Sequence, residues 1–232
     1  MDTNYSVAIH EAGHTVVGLL CDRDLYYVSI VPDEEDGTLG RVHSKLPTPP
    51  DAVEKYTDSG HYESPTTMST DGKTITLADG REFPFTMGES EWTVEQEALE
   101  AVVLQSIRDW AAKAYVLPTL AGAMAEQRVT GVWNAEGAVS DMLSVGESIE
   151  EFFGRDDKRL VAQFDDEDTR NYGPVVERAR ERWGDDVNEL LDRGWSWIEA
   201  VAQALMRPRT AGISWGTLTG DEAKLLQPPN LT

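Results

Sequence analysis

The 232-residue chain has a single cysteine, Cys21. One thiol excludes an intramolecular disulfide framework and fits a reducing compartment. Positive charge is scarce: 20 Lys and Arg stand against 42 Asp and Glu, a net charge of −22. Such a chain gains nothing from counterion release on a phosphate backbone and is repelled by anionic lipid, so neither nucleic acid nor a membrane surface is expected as a partner. No apolar run approaches the roughly 20 residues that span a bilayer. The N-terminus also lacks the basic, apolar and small-residue pattern of a signal peptide. These absences together set the expectation of a cytoplasmic protein.

The remaining composition is that of an ordinary globular chain, with 40% apolar and 27% charged residues. The stretch Tyr5 to Cys21 is free of proline and apolar nearly all round, the pattern of a central buried helix, with Asp2, Thr3 and Asn4 as N-cap candidates. A β-rich run from Tyr26 to Val31 stops at Pro32 and is followed by a short return around Leu39 to Val42. From Leu46 to Glu91 the character changes. Pro47, Pro49 and Pro50 mark a loop, and β-formers flank Ala78-Asp79-Gly80 as in a hairpin, with Pro84 implying an edge strand. Helices are expected from Thr93 to Leu117, Pro118 to Val129, Glu136 to Phe153, Val175 to Leu191, Trp195 to Met206 and Asp221 to Leu226. The acidic run 165–168 and Asn171 to Pro174 read as a solvated link. The expected fold is α+β, mainly helical: one domain over residues 1–232 carrying a β-rich insertion at 46–92.

Chemistry enters in the first helix, where His10-Glu11-Ala12-Gly13-His14 matches His-Glu-x-x-His. Residues four apart share a helical face, so both imidazoles can converge on one metal ion with the Glu11 carboxylate beside it as general base. Zinc in such a site acidifies its water to a pKa of about 7 and polarises the scissile carbonyl. The competing reading is two core histidines satisfied by backbone carbonyls. A catalytic zinc needs a third protein ligand. On the helix from Glu136, the apolar residues Ala138, Met142, Val145, Ile149, Phe152 and Phe153 share one face, and Asp141 stands on its rim. An acid there needs a cation or donors; an interhelical salt bridge or a helix N-terminal acid would serve equally.

The segment Val7-Ala8-Ile9-His10-Glu11-Ala12-Gly13-His14-Thr15-Val16-Val17-Gly18 resembles the zinc helix of the peptidase domain of FtsH-type ATP-dependent zinc proteases. The resemblance continues through Val28 to Pro32 and Leu39-Gly40, then Leu120 to Glu126, then Gly137-Ala138-Val139-Ser140-Asp141-Met142. It returns weakly at Ala202 to Leu205 and Thr217 to Glu222, the stretches similar to that family's last helices. It implies zinc as cofactor, Asp141 as third ligand beside His10 and His14, and hydrolysis of peptide bonds in extended or unfolded protein substrates. Family members work as rings with an ATPase, which makes a homo-oligomer or a separate ATPase partner an expectation. The sequence contains no Gly-x-x-x-x-Gly-Lys-Ser/Thr loop, so ATP dependence is not carried over. The 46–92 insertion has no counterpart in the family, and Gln127 replaces an acid often found there.

Other residues carry weaker signals. Cys21 lies about 10 Å along the helix from His14, too far to share its metal, and reads as core. His43 and His61 read as surface histidines, and Trp133, Trp183, Trp195 and Trp197 as packing residues. Glu126 is either a helix-surface acid or the acceptor that orients a histidine ring. The strand Val28 to Val31 is either internal or an edge that pairs with a peptide. A zinc-containing peptide-binding or adaptor module is the alternative to a peptidase, and a regulatory protease dedicated to one partner is a third reading.

Overall fold

The computed structural model describes residues 3–33, 38–48, 66–68, 74–77, 82–84, 105–135, 137–153, 173–207 and 215–231. The described helices are α1 (Thr3–Leu20), α2 (residues 105–111), α3 (Leu117–Thr130), α4 (Val139–Phe153), α5 (Gly173–Met206) and α6 (Gly220–Leu225). The described strands are β1 (Asp24–Ser29), β2 (Arg41–Lys45), β3 (Thr66–Met68), β4 (Thr74–Leu77), β5 (Glu82–Pro84) and β6 (Thr217–Thr219). The architecture is mainly helical α+β. The chain divides into two compact units, Met1–Pro47 with Ala112–Thr232, and Thr48–Ala111. The second holds an antiparallel sheet ordered β3-β4-β5, with Ile75 opposite Phe83 and Thr74 opposite Pro84. Among the described residues Pro84 therefore sits on an outer strand, where proline is tolerated. Residues 78–80, the expected turn, lie outside the described residues, as do 93–104 of the expected helix.

The larger unit is built around α1. Ala8, Ile9, Ala12, Val16 and Val17 are fully buried. The helix packs chiefly between α3 and α5, which is why its sequence is apolar on every side. On α5, a single helix of 34 residues, the buried stripe Ala179, Trp183, Val187, Leu191, Ile198, Val201, Ala202 and Leu205 keeps helical spacing. This corrects the expectation of two helices meeting near residue 193, and Gly173 and Pro174 belong to the first turn of α5 rather than to a link. Gly194, between the two expected helices, is a contact point: a Cβ there would lie 2.8 Å from Val16 Cγ1. Glycine at this position lets α5 lie close on α1.

Before α3 the backbone loosens into a π-helical turn, Ala112–Val116, so that Pro118 falls in the first turn of α3, where its absent N–H is tolerated. A small antiparallel sheet ordered β2-β1-β6 completes the unit. The stretch from Thr217 opens as the strand β6 before turning helical at Gly220, through a Thr219–Glu222 capping box. Strand β1 pairs with β2 on one side and β6 on the other, so Val28 and Ser29 lie in an internal strand. Among the described residues the outer strands of this sheet are β2 and β6. Among the described residues no helix is long and apolar enough to cross a membrane.

Candidate metal centre

The site starts from the close approach of two helices. On α1, a Cβ at Gly13 would stand 2.7 Å from the Ala121 carbonyl oxygen and 2.9 Å from Ala125 Cβ. On α3, a Cβ at Gly122 would fall on the imidazole of His14. Two glycines facing each other's helix thus let the His-Glu-x-x-His turn lie flat against α3. The smallest residue of the motif is a packing requirement as much as a chemical spacer.

That approach fixes both histidines from behind. His14 Nδ1 donates to the Pro118 carbonyl at 2.8 Å, and His10 Nδ1 donates to Glu126 Oε2 at 3.1 Å. A carbonyl and a carboxylate can only accept, so each neutral ring carries its proton on Nδ1 and presents a bare Nε2. Both Nε2 atoms face one carboxylate oxygen: Asp141 Oδ2 lies 3.0 Å from His10 Nε2 and 3.3 Å from His14 Nε2. In that neutral form three acceptors converge and repel one another unless a proton or a metal ion stands among them; with a proton on Nε2, His10 donates to Asp141. All three ligand atoms lie within 4.8 Å of one another, so His10, His14 and Asp141 form a group able to hold a metal ion. Tetrahedral bonds of 2.0–2.1 Å place neighbouring ligand atoms about 3.3 Å apart, close to the two separations seen here.

The electrostatics agree with the geometry. Burial would lower the pKa of His10, but its hydrogen bonds to Asp141 and Glu126 outweigh that and hold it up at about 10. His14 is likewise raised, burial being overcome by the Asp141 charge. Burial would raise Asp141, yet the two histidines hold its carboxyl well below the ordinary range. Without a metal the cluster keeps positive charge as protons; with one, the ion takes that role.

Glu126 is the acceptor that orients His10, which settles the two readings left open for it. Asn134 Nδ2 donates to its other oxygen, Oε1, at 3.3 Å, and Gly137 N donates back to Asn134 Oδ1 at 3.0 Å. The hydrogen bond from His10, followed by that from Asn134, keeps Glu126 ionised although it is buried. The loop entering α4 is thereby tied to the back of the site. Replacing Glu126 with Ala is expected to weaken metal binding by about 10–100-fold, read by competition against a chromophoric chelator. Gly122→Ala should act through the His14 ring: overpacking of about 1–3 kcal/mol in thermal melts, together with weaker metal binding. Unchanged affinity in that variant would mean that α3 can move aside.

Glu11 is 7% exposed and lies beside the two histidines on the cleft wall. Burial raises its pKa, opposed by the charges of His14 and His10. A Cβ on Gly40 would come within 2.5 Å of Glu11 Oε1, so the backbone just before β2 rests on this carboxylate. The cleft measures about 900 Å³, and its lining includes Thr38 to Val42, Val139, Ser140 and Ser144.

The structure brings together every residue that the sequence singled out for the metal. His43 is exposed and stacks on Tyr27 with ring centroids 5.5 Å apart, outside the cleft. His61 lies outside the described residues. Cys21 is buried core, its thiol pushed up to about 11 by burial. Trp133 packs beneath Arg180, and Gln127 accepts from the same guanidinium. Of the apolar face expected on α4, Ala138 and Val145 are buried; the side chains of Met142, Ile149, Phe152 and Phe153 lie outside the described residues. Sequence reasoning missed the carbonyl of Pro118, Asn134 and Arg23, which also lines the cleft. A proline carbonyl has no side-chain signature, but the asparagine eight residues after Glu126 was readable as a polar residue beside an α4 entry loop. No protein-family model matches the chain, and no curated protein matches it.

Proposed function

We propose that the chain is a zinc metallopeptidase that hydrolyses peptide bonds in extended substrates, with zinc held by His10, His14 and Asp141. The observation that carries this reading is the convergence of two outward-anchored Nε2 atoms and one carboxylate oxygen at the floor of an open cleft, with a buried glutamate beside them. Bound there, zinc supplies Lewis acidity and an acidified water. Glu11 accepts a proton from the attacking water and returns it to the departing amine. The edge of β2 supports the substrate half of the reading. It borders the cleft, it has no second neighbour among the described residues, and the Gly40 backbone that leads into it touches Glu11. A peptide added to that edge would have its carbonyls carried past the metal and the base. The motif resemblance to the FtsH-type peptidase domain favours the same chemistry, and an ATPase partner or ring assembly stands as a further part of the proposal.

The test is the zinc-reconstituted protein against its chelated form on unfolded casein. The expected result is cleavage that follows zinc occupancy and returns on adding the metal back. Casein left intact while one specific partner is cut would favour a dedicated regulatory protease. A fully zinc-loaded protein that binds peptides without cutting any of them would favour the adaptor reading.

A further inference from the structure

Helix α1 ends in a way that carries a charge back into the cleft. Asp22 adopts the left-handed conformation with φ 63°. Its N–H bonds to the Leu19 carbonyl at 3.2 Å, and Arg23 N–H reaches back to the Gly18 carbonyl at 2.9 Å. This pair of bonds is a Schellman cap, and it folds the following residue over the last turn of the helix. The stem of Arg23 lies on Gly18: its Cδ is 3.5 Å and Pro118 Cβ 4.0 Å from where a Cβ on Gly18 would stand. Gly18 is one helical turn beyond His14, about 6 Å by rise. Glycine there leaves the floor along which the arginine runs.

Arg23 lines the same cleft as His10, Glu11, His14 and Asp141. Its Nε is buried and has no hydrogen-bond partner. Among the described residues the neighbouring acids do not neutralise it. Asp24 pairs with Lys224 at 3.6 Å, and Asp22 is exposed at the left-handed turn. Arg41, the other guanidinium of the cleft, is held by Asp33 at 3.1 Å. In a chain with 42 acids and 20 bases, a half-buried arginine whose Nε finds no acceptor among the described residues marks an unfilled position. Burying a charge is costly unless it is paired, and the planar guanidinium fork matches a carboxylate better than any other partner.

We propose that Arg23 seats a carboxylate of the substrate peptide near the cleaved bond. This rests on the peptidase reading above. The carboxylate is either the free C-terminus of the peptide or an Asp or Glu side chain within it.

The test uses the zinc-loaded full chain and a pool of synthetic peptides made in matched C-terminal acid and amide forms, with cut positions read by mass spectrometry. Wild type is expected to favour carboxylate-bearing sequences by about tenfold or more, from charge-assisted hydrogen bonds. Preference for acid over amide forms would assign the terminal carboxylate; enrichment of Asp or Glu at a fixed position would assign a side chain. Arg23→Gln should lose the preference, and Arg23→Lys should recover part of it, since lysine keeps the charge but not the fork. A second readout needs no turnover: zinc-loaded Glu11→Gln, with and without Arg23→Gln, is used to retain peptides from the same pool. Melting temperature and zinc content of each variant report its fold. Arg23→Gln cutting and retaining the same peptides as its parent overturns the inference and leaves the peptidase reading intact. Arg23-dependent retention without any cutting by wild type upholds the inference and removes the peptidase reading. Retention of no peptide by Glu11→Gln overturns it.

Discussion

Asp141→Ala protein is expected to purify with well under one zinc per chain, while wild type prepared beside it holds close to one. The aspartate is the only anionic member of the group that faces both Nε2 atoms, and its Oδ2 is shared between them at 3.0 and 3.3 Å. Apparent zinc affinities of structural sites run to about 10–16 kcal/mol, so losing one ligand of three removes roughly 3–5 kcal/mol, or about 10²–10⁴ in affinity. Asp141→Asn separates charge from shape, because the amide keeps the size of the side chain but offers only a neutral oxygen. Its affinity should fall between those of wild type and Asp141→Ala. Glu126 cannot substitute. It is engaged with Nδ1 of His10, the far side of the ring from Nε2, so it would strengthen the histidine as a ligand without reaching a metal bound there. Full zinc in Asp141→Ala would place the third ligand elsewhere. Elemental analysis of dialysed protein, with chelator competition for the affinities, decides between these outcomes.

What could be read in advance follows the range of the interactions involved. The two histidines four residues apart and the acid between them are a local pattern, set by the geometry of one helix, so His10, Glu11 and His14 were legible at once. Asp141 was legible only as an acid on the rim of an apolar helix face, because its meaning depends on a partner 131 positions away in the chain. The outer supports were less visible still. Glu126 had two equal readings, since nothing in a helix sequence says which side chain a neighbouring helix will present to it. The Pro118 carbonyl was invisible, being backbone. The gap expected between the helices ending at Leu191 and starting at Trp195 misled in an informative way: Gly194, within it, is the point where α5 lies on Val16 and Leu20. Likewise β1 reads as a strand, but whether it is edge or interior depends on β6, which pairs with it from nearly 190 residues further along the chain. The left-handed Asp22 was hidden for the same kind of reason. A Schellman cap normally announces itself by glycine at that position, and here an aspartate takes it.

Glu11→Gln should leave the zinc in place and remove the turnover. The substitution keeps the volume and the hydrogen-bonding outline of the side chain, so the packing against Gly40 and beside the two histidines survives. What it removes is the ability to take up a proton. General acid–base groups contribute about 10²–10⁴-fold, and the loss is expected in kcat, with KM and zinc content close to wild type. The direction of the environment supports this assignment. A buried carboxyl with a raised pKa holds a proton more readily than an exposed one, which suits a group that must accept and then return it. Glu11→Asp sharpens the experiment. It keeps the acid but withdraws it by one methylene from the Gly40 backbone, so a proton acceptor in the wrong place should be impaired like the amide, while a group serving only by its charge should be rescued. Activity of Glu11→Gln within a factor of about two of wild type, at equal zinc, would remove Glu11 from the chemistry and leave its burial beside two histidines as a matter of packing and charge balance alone.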